Sequence, residues 1–163
     1  NQPHFSLKSL YLVFGLQAVL AWLVAMPLLG AVVSTAPIGS LDRFGTLMWA
    51  FGLVFESVAD WQLARFQQGG GAARGVMDTG LWRFSRHPNY FGEIVLWVGI
   101  AIIALPVLQG WQWVALISPV FVTLLLTRVS GVPLLENKAD KKWGGQEDYE
   151  AYKKKTPVLI PRL

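Results

Sequence analysis

The sequence predicts an all-α integral membrane helical bundle with about four membrane segments and a polar C-terminal tail holding a short helix. Three observations carry this. The 163-residue chain is 53% hydrophobic and only 15% charged, where a soluble domain has about a quarter of its residues charged. Two long stretches, residues 9–41 and 94–127, carry no formal charge. A bilayer core about 30 Å thick takes roughly 20 apolar residues per helix, so the first stretch supplies one span and the second supplies two shorter or tilted ones. On a soluble protein such runs would expose large apolar faces.

The elements follow in order within a single domain. The first span covers about residues 9–33. "STAPIGSLDR" is a loop, with Pro37 and Gly39 as breakers. A second helix runs from about 44 to 67. Its membrane part is 44–64, and its second half carries Glu56, Asp60, Gln62 and Arg65. The Gly-rich "GGGAARGVMDTG" falls in a loop over 65–89. Pro106, Gln109 and Gly110 then split the second apolar stretch into a hairpin, 90–105 and 111–128. A single helix of that length would reach about 50 Å, well beyond the bilayer core. The tail, 129–163, is polar, with a short helix expected around 134–155. The chain opens on Asn1 rather than Met, so it is expected to lack N-terminal helices of a longer protein.

Charge placement predicts orientation. Of 14 Lys and Arg, only Arg43 lies between the first two spans, and the hairpin turn has none. With four segments the other 13 fall on one side, which the positive-inside rule makes cytoplasmic. The loop 65–89 and the tail are therefore expected in the cytoplasm. The net charge of +4 is first a topology signal and second a means of contacting lipid headgroups. Nucleic-acid binding is excluded, because the basic residues flank spans and are mixed with acids. The chain has no Cys and two His, and no metal-ligand spacing occurs.

The chemistry-bearing residues gather at helix ends on that cytoplasmic side. "GLWRFSRHPNYFGE", residues 80–93, sets Arg83, Arg86 and His87 ahead of the third span. Asn89 and Glu93 share one face of it at i, i+4, as do Glu56 and Asp60 on the second helix. Arg128 closes the fourth span, and Glu136 follows. Charges near lipid are costly, so they pair or line a water-filled cavity. The pattern predicts one cytoplasm-facing polar cavity lined by three helices. Arg83, Arg86 and His87 suit phosphate or carboxylate. Carboxylates and amides suit ribose hydroxyls, and Trp82 and Tyr90 suit a planar ring. Ser85, His87 and Asp60 admit a Ser-His-Asp arrangement, without a nucleophile-elbow motif. Taken singly, the arginines also fit membrane anchoring and the tryptophans an interfacial belt. Glu93, inside the apolar turn that opens its span, argues for a site.

Three stretches carry a resemblance: "FESVADWQLARF" (55–66), "GLWRFSRHPNYFGEIVLWVGI" (80–100) and "PLLENKADKKWGGQEDYEAYKKKTPVLIP" (133–161). They resemble a membrane superfamily of steroid 5-alpha-reductases, sterol reductases and isoprenylcysteine carboxyl methyltransferases. Within it the chain is most similar to a bacterial domain-of-unknown-function family related to the steroid 5-alpha-reductase C-terminal domain. The Arg-His-Pro-x-Tyr core is common to both branches. The resemblance implies an integral membrane enzyme, in a bacterial inner membrane, that reduces a double bond in a steroid-like or other lipophilic substrate with NADPH. Asn89, Glu93 and Asp60 match reductase positions that contact the cofactor. Glu56 stands where reductases tend to have Asn. Arg83, Arg86, His87, Tyr90, Arg128, Glu136, Tyr149 and Tyr152 complete the expected cofactor set. The alternatives are an S-adenosylmethionine-dependent methyltransferase, whose branch favours a Glu pair soon after the last span's Arg, and a non-catalytic membrane scaffold. The resemblance assigns no catalytic acid, substrate or oligomeric state.

Overall fold

The computed structural model describes residues 15–71 and 75–162. Among these there is no β-strand. Helix α1 spans Gly15–Val32, α2 Ser40–Gln68, α3 Pro88–Ala104, α4 Ile117–Leu124, α5 Gly131–Trp143 and α6 Glu147–Lys155. The part of the expected first span before residue 15 and the centre of the Gly-rich loop lie outside the described residues.

In the first turn of the longest helix, α2, Asp42 Oδ2 accepts the Gly39 backbone N–H at 2.7 Å. This satisfies one of the donors that a helix start leaves open. The helix ends where the Gly69 N–H donates to the Arg65 carbonyl at 3.0 Å. Pro88 occupies the first turn of α3, where its missing N–H costs nothing.

The hairpin turn sits between residues 105 and 116, and its second arm is not one regular helix. A 3-10 turn, Leu105–Val107, caps α3, and a second, Gly110–Leu116, precedes α4. The arm closes on a π-helical turn, Leu125–Val129. Ala104, Leu108 and Ala115 form a buried cluster at the turn, with Met26 of α1 and Leu116 against it. The Ser118 hydroxyl, fully buried, donates to the Val24 carbonyl at 2.7 Å and ties α4 to α1.

The largest helix–helix contact is α2 against α3. It is built on glycines at seven-residue spacing, Gly45 and Gly52 facing Gly99 and Gly92. Small residues let helix backbones approach where no hydrophobic force drives them together, as in lipid. Large apolar side chains point outward instead, among them Val32, Leu47, Trp61, Trp111 and Trp113, all more than half exposed. Pro88–Val107 and the run from Gly110 are long and apolar enough to cross a membrane, and the shorter Gln17–Val32 is apolar as well. The architecture is an all-helical membrane bundle. The polar tail forms two helices, α5 and α6, rather than the one expected, because Gly144 and Gly145 interrupt it. Gly145 adopts φ +83°, which glycine takes without strain.

Candidate functional site

The turn between α2 and α3 carries the site, and its shape is fixed by bonds from three directions. Gly80 sits at φ +62° with no room for a side chain, since a Cβ there would stand 2.4 Å from Gln62 Oε1. The same Gln62 oxygen accepts the Leu81 N–H at 2.9 Å. Trp82, buried, donates from Nε1 to the Ala59 carbonyl at 3.0 Å. The Ser85 hydroxyl, fully buried, donates to the Leu159 carbonyl at 2.8 Å and accepts the His87 backbone N–H at 3.2 Å. Ser85 is therefore a structural tie. Its hydroxyl does not meet the His87 ring, and Asp60 pairs elsewhere, so no Ser-His-Asp arrangement forms.

Arg86 and His87 converge on Glu136, fifty residues away on α5. Arg86 Nη1 donates to one carboxylate oxygen of Glu136, and His87 Nε2 lies 2.8 Å from the other. A carboxylate only accepts, so Nε2 carries the proton in this contact. The His87 ring stacks on Tyr90 at 5.6 Å between centroids, with an 11° tilt. Two polar atoms of the cluster remain buried without a partner, Arg86 Nε and His87 Nδ1. Buried polar atoms are usually satisfied, so at a cavity these two are free to bond a water or a ligand atom.

These groups open onto a chamber of about 290 Å³. Its walls are mainly apolar and aromatic, including Leu63, Phe66, Met77, Trp82, Leu135 and Trp143. Tyr149 and Tyr152 also line it. The Tyr152 hydroxyl donates to the Trp82 carbonyl at 2.8 Å, and that of Tyr149 donates to Asp140. Burial pushes both phenols above the ordinary tyrosine value, and for Tyr149 the bond to Asp140 adds to it. Both hold their protons at neutral pH.

A second group lies on the α2–α3 face. Asn89 Nδ2 donates to Asp60 Oδ1 at 3.0 Å, and Asn89 Oδ1 is buried without a partner. Glu56, Asp60 and Glu93 are close enough to interact electrostatically. Among the described residues no group of His, Cys, Asp and Glu has metal-binding geometry.

The twelve residues singled out from the sequence thus separate. Arg86, His87, Glu136, Tyr149 and Tyr152 share the chamber, and Glu56, Asp60, Asn89 and Glu93 share the helix face. Tyr90 bridges the two through its stacking on His87. Arg83 stands apart, with its guanidinium 4.9 Å from the Phe84 ring centroid, on a second, polar cleft. Arg128 is exposed in the π-helical turn. The bracing roles of Ser85 and Gln62 were missing from the sequence reading, which named Ser85 only in a Ser-His-Asp arrangement, and of the apolar chamber walls it named only Trp82. Nothing in residue type or spacing marks a serine or glutamine as a brace.

Residues 1–156 match a family model described as protein of unknown function (DUF1295). Over 118 residues the chain is 29% identical to the 3-oxo-5-alpha-steroid 4-dehydrogenase 1 of Rattus norvegicus, covering 72% of this chain and 40% of that protein. It is 28% identical over 119 residues to the Bos taurus protein of the same description, covering 73% and 41%. The chain spans about two fifths of the length of these curated relatives. No solved structure matches. The family model covers nearly the whole chain, through the site turn and both tail helices, and the chain belongs to the family described as protein of unknown function (DUF1295).

Proposed function

We propose that this chain is the cofactor-binding part of a membrane-embedded oxidoreductase. In this reading it takes NADPH and reduces a double bond in a steroid-like or other lipophilic substrate. The chamber faces the cytoplasm, in a bacterial inner membrane. The similarity to the two 3-oxo-5-alpha-steroid 4-dehydrogenases supports redox chemistry. The observation that carries the reading is the pair of unpartnered atoms, Arg86 Nε and His87 Nδ1, buried at the mouth of an aromatic chamber.

The residues present fit such a cofactor. Arg86 Nε is a fixed donor suited to phosphate or carbonyl oxygen, and Asn89 Oδ1 is an open acceptor. Asp60, Glu93 and Glu56 are acceptors suited to hydroxyls, and the aromatic walls suit a planar ring. When bound, the reduced nicotinamide supplies the hydride. The chain's own part is placement. Glu136 locks the His87 ring and the Arg86 guanidinium in one orientation. Tyr90 holds the other side of that ring by stacking. Trp82, Phe66 and Trp143 exclude water, which strengthens every polar contact inside.

Titrating detergent-solubilised protein with NADPH and with S-adenosylmethionine tests the reading. Saturable NADPH binding that S-adenosylmethionine does not displace is expected. Saturable S-adenosylmethionine binding without NADPH binding would assign the chamber to methyl transfer instead.

A further inference from the structure

The C-terminal segment does more than close the fold. From Tyr152 to Arg162 it runs back along the turn that carries Arg83, Ser85 and Arg86. The Arg86 N–H donates to the Pro157 carbonyl at 2.9 Å, and the Arg162 N–H donates to the Phe84 carbonyl at 3.0 Å. Ser85 bonds the Leu159 carbonyl, and Thr156 Oγ1 lies 3.4 Å from the Arg83 carbonyl. These ties bring Lys155 and Arg162 to the same cleft as Arg83, more than seventy residues away in sequence. The cleft measures about 790 Å³.

Two carboxylates, Asp78 and Asp148, also line it. Among the described residues none of the three cations is held in an ion pair. Three cations against two acids, without internal pairing, leave the cleft open to an anion. The cleft adjoins the aromatic chamber, for Phe66, Val76 and Tyr152 line both. A ligand with an apolar, planar end and a phosphate-bearing end would fill the two together.

We infer that the cleft of Arg83, Lys155 and Arg162, assembled by the C-terminal strap, binds phosphate groups of the molecule whose ring end enters the chamber. The inference rests on the proposed function only for the identity of that ring end. The shared chemistry is a phosphate ester, carried either by a soluble dinucleotide or by a lipid headgroup. The dinucleotide is favoured because the cleft lies next to the chamber, with Phe66, Val76 and Tyr152 lining both.

The test uses the full chain in detergent, with NADPH and inorganic pyrophosphate as probes and phosphatidylserine vesicles as the lipid arm. Arg83→Ala, Lys155→Ala and Arg162→Ala remove side chains and leave the main-chain ties of the strap in place. Each should weaken NADPH binding about tenfold, as loss of a charge-assisted contact does. Added salt should weaken the wild type more than the variants, pyrophosphate should compete with NADPH, and Arg162→Lys should recover part of the affinity. If pyrophosphate binds the wild type and the alanine variants lose it while NADPH never binds, the cleft stands and the functional reading falls. NADPH binding that is unchanged in all three variants, or a loss confined to phosphatidylserine, would overturn the inference. So would a wild type that binds neither NADPH nor pyrophosphate.

Discussion

Gly52 of α2 and Gly92 of α3 meet backbone to backbone. A Cβ on Gly52 would stand 2.6 Å from the Gly92 carbonyl oxygen, and a Cβ on Gly92 would stand 2.8 Å from that of Gly52. Gly45 and Gly99 repeat the relation two turns along, each 2.8 Å from the other's carbonyl oxygen by the same measure. The close approach sets Asp60 opposite Asn89 and Glu56 near Glu93. The first consequence is a stability difference between glycines. Gly92→Ala should force the backbones apart and cost about 1–3 kcal/mol, the usual range for overpacking. Gly15→Ala, with nothing among the described residues within 4 Å of the new Cβ, should not destabilise. Thermal unfolding in detergent compares the two, and equal behaviour would mean that the helices yield freely at this contact.

Glu136 is the only carboxylate, among the described residues, in ion-pair reach of Arg86 and His87. Glu136→Ala leaves both without their anion. Breaking a fully buried pair costs about 3–5 kcal/mol, and an exposed pair is worth about 1 or less. Glu136 keeps 20% of its side-chain exposure and Arg86 keeps 11%, so a loss of about 2 kcal/mol is expected between those limits. Denaturant unfolding measures it, and an unchanged midpoint would remove Glu136 as the organiser of the site.

The tail should respond to alkaline pH. Tyr149 and Tyr152 are held above the ordinary phenol value by burial. Their folded pKa exceeds the unfolded value of about 10, so the native state keeps protons that the unfolded state releases. The stability they contribute is fully present below about pH 10 and is lost as pH rises through the folded values. Phenolate absorbance during a base titration should show these two tyrosines ionising last and together with loss of tail structure. Tyr152→Phe should remove one of those late ionisations. Ordinary titration of all the tyrosines would contradict the placement of the tail helices against the site turn.

Trp82 offers a fourth check. Trp82→Phe keeps an aromatic wall but removes the bond from Nε1 to the Ala59 carbonyl. A net hydrogen bond is worth about 1 kcal/mol, and more when a buried partner is left unsatisfied. A loss of about 1–2 kcal/mol is expected by denaturant unfolding, with a lower apparent rigidity of the turn in hydrogen exchange. No change in either would mean the turn is held without Trp82.

Much of the architecture was legible because uncharged runs and breakers are local signals. Residues 94–127 and the break at Pro106 to Gly110 announce a hairpin. The π-helical turn at Leu125–Val129 was not legible, since no residue type requires it. In the site, spacing alone puts Asn89 with Glu93 on one helix face and Glu56 with Asp60 on another, while the meeting of the two faces comes from the glycine contact. Arg83 and Arg86 look alike in sequence yet serve different spaces, because the turn at Phe84 sends one to the cleft and the other to Glu136. Lys155 and Arg162 read as ordinary tail charges. Only the strap of main-chain bonds from the C-terminal segment brings them to Arg83, and such bonds carry no side-chain signature.

In the function we propose, the Arg86–His87–Glu136 cluster holds a nicotinamide cofactor at the chamber. The most direct measurement is NADPH affinity for the wild type beside His87→Ala and Arg86→Ala, with folding checked by near-ultraviolet circular dichroism. Saturable binding to the wild type is expected, with about tenfold or greater weakening in each folded variant, the loss that follows removal of a buried charged or polar contact. Equal NADPH affinity in wild type and both folded variants would contradict this role of the cluster.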